Sequence, residues 1–360
     1  MASEQRSRRG KNGRFLNQQP MWNDYLGGIM SLLKRNKNSV PKQELPVLRV
    51  RRQDVESDSA SGLKATWLGH STVYLQLDGV RILTDPVWGP RASPFRWLGP
   101  KRFYAPLITI EDLPVPQVVA ISHDHYDHLD RDTLRRIRHW DTCFIVPLGV
   151  GARLLDWGVP LERITELDWW EAATVGDLTV TLTPARHASG RTLLDRDKTL
   201  WGGFAFAGPN HRVYYSGDTG MFPGLTEIGA RLGPFDLTMI EAGAYGQAWP
   251  DWHLGPEQAV QAHAMVQGKV MLPVHWGLFD LAAHGWTEPI ERVLVAARKT
   301  GATVVVPRPG ESLEPGTPPA VIRWWPNLPW KTESEAPIRA TVNGLKPKGI
   351  GLRECKVPFG

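Results

Sequence analysis

Short apolar runs broken by glycine, proline and polar turns dominate the middle of the chain. Runs over 64–70, 72–77, 80–84, 118–122, 142–147 and 178–184 have the length and β-branched content of strands. Those over 201–207, 212–216, 237–241, 270–274 and 303–307 read the same way. Between them, 131–139, 150–155, 256–265 and 289–300 predict helices, and the last two open on Pro256 and Pro289, as suits a first helical turn. Strands in series with intervening helices predict a layered α/β body. No repeat of fixed period runs through it.

The flanks differ. Residues 1–62 form a basic Gly/Asn/Gln-rich arm, a mixed stretch at 21–33 and a Ser/Asp/Gly linker; 63–313 is the body; 314–360 is Pro-rich with a Lys/Arg/Gly ending, expected to be irregular. The stretch at 21–33 reads as an arm packed on the body, and its apolar residues followed by Lys34, Arg35 and Lys37 also suit an interfacial anchor. A composition of 42% hydrophobic and 22% charged residues is that of a folded protein with a sizeable core. With Cys143 and Cys355 as its only cysteines, the chain has neither a disulfide framework nor a Cys-rich zinc module. It shows no signal-peptide pattern and no membrane-length apolar run, so a cytoplasmic protein that meets a membrane only peripherally is expected.

The strongest chemical signal is Ser122-His123-Asp124-His125-Tyr126-Asp127-His128-Leu129-Asp130, directly after an apolar strand. A His-x-His-x-Asp-His match arises by chance in fewer than about one such chain in a thousand. Four donors within six residues exceed one tetrahedral site with an open position, so two metals sharing later donors is the natural reading. Candidates for the later donors also follow strands: His187, Asp218 in a Gly-Asp-Thr-Gly turn, and His275. Nitrogen and oxygen donors without thiolate suit zinc, and also manganese or iron.

With these residues the chain resembles the metallo-β-lactamase superfamily, whose fold is a two-sheet αββα sandwich with a dinuclear metal at one edge. Within it the chain resembles N-acylphosphatidylethanolamine-hydrolysing phospholipase D and its bacterial relatives. That likeness is carried by Thr66-Trp67-Leu68-Gly69-His70-Ser71, Leu83-Thr84-Asp85-Pro86, Gly217-Asp218-Thr219-Gly220, Gly233-Pro234-Phe235-Asp236 and His275-Trp276-Gly277, and it runs from about Phe15 to Ser312. It implies one zinc on His123, His125 and His187, a second on Asp127, His128 and His275, and Asp218 as the bridge. Asp127 and Asp218 are the expected catalytic carboxylates, and the products would be phosphatidic acid and an N-acylethanolamine. Asp124 and Asp130 are expected to orient the imidazoles, and His70 and Asp85 to support the site structurally.

Around Ala244–His253 the spacing is shorter than in the animal enzyme, and Trp252 stands where a polar residue is expected. His253 and His284 are the expected substrate contacts, whereas His139, His211 and His263 read as packing or surface residues. The ascorbate-6-phosphate lactonase group shares the donor pattern, which makes a lactonase the second reading. A nucleic-acid role through the basic arm is a third reading, disfavoured by the lack of interleaved aromatics and basic runs in the body. Expected partners are a phospholipid or a small phosphodiester or lactone, an anionic membrane touched peripherally, and a second copy in a homodimer. The net charge of +5 is unevenly spread: 1–52 carries 12 basic against 3 acidic residues, 331–360 six against three, and 53–330 is net −7. The arm, not the body, is therefore the part suited to an anionic surface.

Overall fold

The computed structural model describes residues 6–192 and 194–345. In chain order its elements are β1 (Arg8–Arg9), β2 (Phe15–Leu16), α1 (Tyr25–Leu33), α2 (Arg52–Glu56), β3 (Leu63–Gly69), β4 (Thr72–Leu77), β5 (Val80–Thr84), β6 (Val118–Ala120), α3 (Arg131–Ile137), β7 (Cys143–Pro147), α4 (Gly151–Asp156), β8 (Ile164–Leu167) and β9 (Ala172–Val175). There follow β10 (Leu178–Thr183), β11 (Gly203–Ala207), β12 (Arg212–Tyr215), α5 (Gly224–Leu232), β13 (Phe235–Glu241), α6 (Pro256–Met265), β14 (Gly268–Val274), α7 (Glu288–Thr300), β15 (Thr303–Val304) and β16 (Ser312–Leu313).

Two seven-stranded mixed sheets face each other, ordered β16-β3-β4-β5-β6-β7-β8 and β15-β14-β13-β12-β11-β10-β9. In each, a run of antiparallel strands gives way to parallel ones: β5 to β8 in the first sheet, β12 to β15 in the second. Strand alternation distributes the core. Val73, Leu75 and Leu77 of β4 join the layer between the sheets with Val180, Phe204, Phe206 and Val213, while Tyr74 joins the layer under α3 and α4 with Leu83, Val119 and Leu134. Helices α5, α6 and α7 cover the second sheet, through Leu225, Ile228, Val260 and Ile290 among others. The central strands are buried on both faces, which is why their sequences read as continuous apolar runs. The result is an αββα sandwich.

Most strand and helix expectations differ from the structure only at their ends. Eight elements were not anticipated: β1, β2, α1, α2, β8, β9, α5 and β16. The stretch at 21–33 contains a helix, α1, capped by the Asp24 side chain accepting from Gly27 N. Nor is the arm a detachable tether. Phe15 is buried in the main core, and Arg14 donates to the carbonyl of Leu194. Residues 314–345 form no helix or strand, yet Trp324 and Trp325 are buried, the first stacked on Trp276 and the second edge-on to it. The last basic residues, from Lys346 onward, lie outside the described residues. Among the described residues no helix is long and apolar enough to cross a membrane.

Candidate metal centre

Strand β6 ends in the fully buried Ala120 and Ile121, and the chain then leaves the sheet as the ligand loop. Its departure is fixed by Asp85, whose carboxylate accepts from Ser122 N at 2.7 Å and Ser122 Oγ at 2.6 Å. The loop then closes tightly, with His128 N and Leu129 N both donating to His125 O at 3.1 and 2.8 Å. His187 follows β10, Asp218 follows β12 and His275 follows β14, so all seven predicted donors meet at one edge where strands end. Backbone at this edge is locally strained: His70, Asp85, Ala244 and His275 all have positive φ. At Gly217 (φ 56°) a Cβ would lie 2.5 Å from Gly202 O, so glycine is required beside Asp218.

The donors form two groups. Nε2 of His123 and of His187 lie 2.9 and 3.3 Å from His125 Nδ1, so three ring nitrogens crowd one point. On the other side, Asp127 Oδ2 is 3.1, 3.2 and 3.4 Å from the Nε2 atoms of His70, His275 and His128. Asp218 Oδ2 sits between the groups, 3.2 Å from His128 and His275 Nε2 and 3.7 Å from His123 and His187 Nε2. His128 Nε2 and Asp218 Oδ1 are buried without hydrogen-bond partners. Converging nitrogens that cannot all be satisfied by protons, beside an orphaned buried carboxylate oxygen, fit metal ions.

Electrostatics divide the cluster in the same way. Burial pushes the imidazoles of His123 and His187 well below their ordinary value and also lowers His125, favouring the neutral, ligating form. Burial opposes charge on Asp127 and Asp218 too, yet His128 and His275 hold both carboxyls well below the usual range. Against the same burial, Asp218 and Asp127 push His128 well above its ordinary value and His275 up to about 10. This half of the site attracts positive charge.

Of the carboxylates expected around the imidazoles, Asp85 holds one ring, whereas Asp124 and Asp130 hold none. Asp124 instead accepts from Arg153 Nε at 2.9 Å and Gly190 N at 2.6 Å, and Asp130 from Gly89 N at 2.8 Å and Asp132 N at 3.3 Å as the α3 cap. Asp124 lies between two donors and so points away from them, and Asp130 is taken up in capping α3. The orienting groups come from elsewhere. Asp85 accepts from His128 Nδ1 at 2.6 Å and the Trp252 carbonyl from His187 Nδ1 at 2.8 Å. Asn17 of the arm brackets the His187 backbone, donating to its O at 2.6 Å and accepting from its N at 3.0 Å.

Glu241 was also missed. Buried at the end of β13, it accepts from His253 Nδ1 at 2.7 Å, Thr219 N at 2.7 Å and Leu254 N at 3.1 Å. An acid closing an apolar strand run was its only signal in the sequence. His253 lines the metal cleft, with ring centroids 5.1 Å from His187 and 5.2 Å from His275. His284 does not. It stacks on Tyr245 at 4.3 Å and lines a separate small cavity behind His275. His263 is a packing residue bonded to Thr238 Oγ1 at 2.7 Å.

Above the donors opens a cleft of about 380 Å³. Its floor is His125, Asp127, Asp218, His253 and His275, and its walls are mostly apolar: Trp249, Trp252, Leu281, and Tyr25 and Ile29 of α1.

A strand-edge cluster of this composition on an αββα sandwich defines a metal-dependent hydrolase. The chain belongs to the metallo-β-lactamase superfamily, whose β-lactamase superfamily domain matches residues 80–276. An uncharacterized protein of Mycobacterium tuberculosis is 48% identical over 301 residues, covering 82% of this chain and 80% of its own. An N-acyl-phosphatidylethanolamine-hydrolyzing phospholipase D of Caenorhabditis elegans is 40% identical over 249 residues, covering 66% of this chain and 69% of the worm protein. Igni18, a metallo hydrolase of Ignicoccus hospitalis, superposes with a TM-score of 0.54 at 25% identity, covering 70% of this chain and 97% of its own.

Proposed function

We propose that the protein is a dinuclear zinc phosphodiesterase of phospholipase D type, acting on N-acylphosphatidylethanolamine-like lipids. The observation that carries this reading is the apolar cleft seated directly on a polar double cluster, a shape suited to an amphiphile whose charged group meets the donors. Similarity to the worm phospholipase D supports the same substrate class.

His123, His125 and His187 would hold one zinc, Asp127, His128 and His275 the other, with Asp218 placed to serve both. When bound, the pair supplies Lewis acidity toward phosphoryl oxygens and a water acidified to near neutrality. Glu241 fixes the His253 ring through Nδ1, which leaves Nε2 on the cleft side to hydrogen-bond a phosphoryl oxygen or the departing alcohol. The apolar walls take acyl chain and exclude water from the reacting centre. Water adds to phosphorus, the bond to the ethanolamine oxygen breaks, and phosphatidic acid and N-acylethanolamine leave.

Helix α1 gives this lipid reading a route to its substrate. One side of it walls the cleft, while Leu26, Ile29, Met30 and Leu33 are exposed and Lys34, Arg35 and Lys37 follow, as on an interfacial helix.

The test is zinc-loaded protein on N-acylphosphatidylethanolamine in mixed micelles, with product phosphatidate and N-acylethanolamine quantified. His187→Ala and Asp218→Asn should each lower turnover by at least about a hundredfold while retaining the wild-type circular dichroism spectrum. Cleavage of lactones but of no phosphodiester would assign the site to the lactonase reading instead.

A further inference from the structure

We propose that an arginine-lined cleft on the far side of the ligand loop, fronted by the aromatic lip at 95–98, docks on the headgroups of an anionic phospholipid bilayer. The ligand loop has two faces. His125 and Asp127 line the metal cleft, whereas Tyr126 and Asp130 line a second cleft of about 180 Å³. Into this second cleft come Arg91, Arg96, Arg131 and Arg191, against only two carboxylates, Asp130 and Asp132.

Two carboxylates against four guanidinium groups leave the cleft net positive. Asp130 is occupied by Gly89 N and Asp132 N. Asp132 is shared between Arg131 at 3.7 Å and Arg96 at 4.0 Å. Arg91 and Arg191 are held by backbone carbonyls only: Arg91 by Arg96 O at 3.2 Å and Gly99 O at 2.5 Å, Arg191 by Asp124 O at 2.9 Å and Leu129 O at 2.7 Å. The Arg191 guanidinium also lies 3.9 Å from the Tyr126 ring centroid. Charges pinned in this way lose little conformational freedom on meeting an anion.

At the lip, Phe95, Trp97 and Leu98 are 49%, 73% and 54% exposed, with the two rings 5.4 Å apart. Exposed aromatic rings beside arginines match the membrane interface, where rings settle at headgroup depth and basic groups are drawn to anionic lipid. A free anion could fill the cleft but gives the lip no role; a bilayer engages both. The purpose of the contact rests on the lipid-hydrolase reading, since it would hold the protein at the surface that carries the substrate. The binding itself does not depend on turnover.

The experiment is co-sedimentation of the full chain with phosphatidylcholine vesicles, with and without phosphatidylglycerol. Wild-type protein should partition to the anionic vesicles, and millimolar inorganic phosphate should not displace it. The pair Arg96→Gln and Arg131→Gln should weaken partition by at least about fivefold, the worth of one basic residue near such a surface. Phe95→Ser with Trp97→Ser should weaken it similarly. All four side chains are substantially exposed, and an unchanged melting temperature confirms that the variants fold. Undiminished partition in both variants, or equal wild-type binding to neutral vesicles, would overturn the proposal. So would a dimer abolished by the aromatic substitutions in protein that ignores vesicles. Docking without cleavage of any phosphodiester would sink the phosphodiesterase reading and leave this one standing.

Discussion

Asn17 shows how much of the site lies outside its donors. Its amide grips both backbone groups of His187 from more than 150 residues away in sequence. Asn17→Ala should lower metal affinity or turnover by roughly 10–100-fold, as loss of groups that orient ligands does, while shifting the melting temperature little. Titration with a competing chelator would measure it, and an unchanged affinity with unchanged turnover would show that His187 holds its place unaided. The seven donors were legible because histidines and aspartates are rare enough for their clustering to stand out. Asn17 and Glu241 were harder to read: their roles depend on which loops meet, and an Asn in a polar arm or an acid at a strand end looks ordinary alone. Asp124 and Asp130 failed in the opposite sense, because closeness in sequence was taken for closeness to the imidazoles.

At the scale of elements, hydrophobic pattern was reliable where an element is buried on both sides and unreliable elsewhere. Strands β8 and β9 are half-exposed and four residues long, too short for an alternation to stand out. Helix α5, with the sequence GLTEIGARL, carries two glycines that argue against a helix, yet Leu225, Ile228 and Gly229 are buried. Gly229 is there for closeness: a Cβ would meet the Val266 backbone at 2.9 Å. On an exposed helix Gly→Ala stabilises by about 1 kcal/mol. Gly229→Ala should instead destabilise by about 1–3 kcal/mol through overpacking, read as a lower urea midpoint. A higher midpoint would mean that α5 and α6 can move apart without loss.

Across the whole molecule, the segment after β16 is part of the core's closure. Trp324 stacks on Trp276 at 5.4 Å and approaches Trp67 at 6.3 Å, and its indole N–H donates to Pro307 O at 3.1 Å. Trp276 directly follows the donor His275. Trp324→Ala should therefore destabilise by about 3–5 kcal/mol, the usual cost of a large buried aromatic, and lower turnover before global unfolding. On heating, activity should be lost at a lower temperature than the circular dichroism signal, and parallel loss of the two would mean a purely global effect. The sandwich itself was legible from strands in series, but the use of a Pro-rich irregular tail as packing was not, because such a tail has no periodicity to read.

One buried carboxylate ties these scales together. Asp251 accepts from Trp22 N at 2.8 Å, Thr341 N at 2.6 Å and Thr341 Oγ1 at 2.5 Å, and pairs with Arg186 at 3.0 Å. Arg186 precedes the donor His187, and Asp251 precedes the Trp252 carbonyl that fixes that donor's ring. A single charged point thus fastens the segments at Trp22 and Thr341 to the two stretches that flank the His187 ring, so a nick in either fastened segment would loosen that donor from outside without touching it.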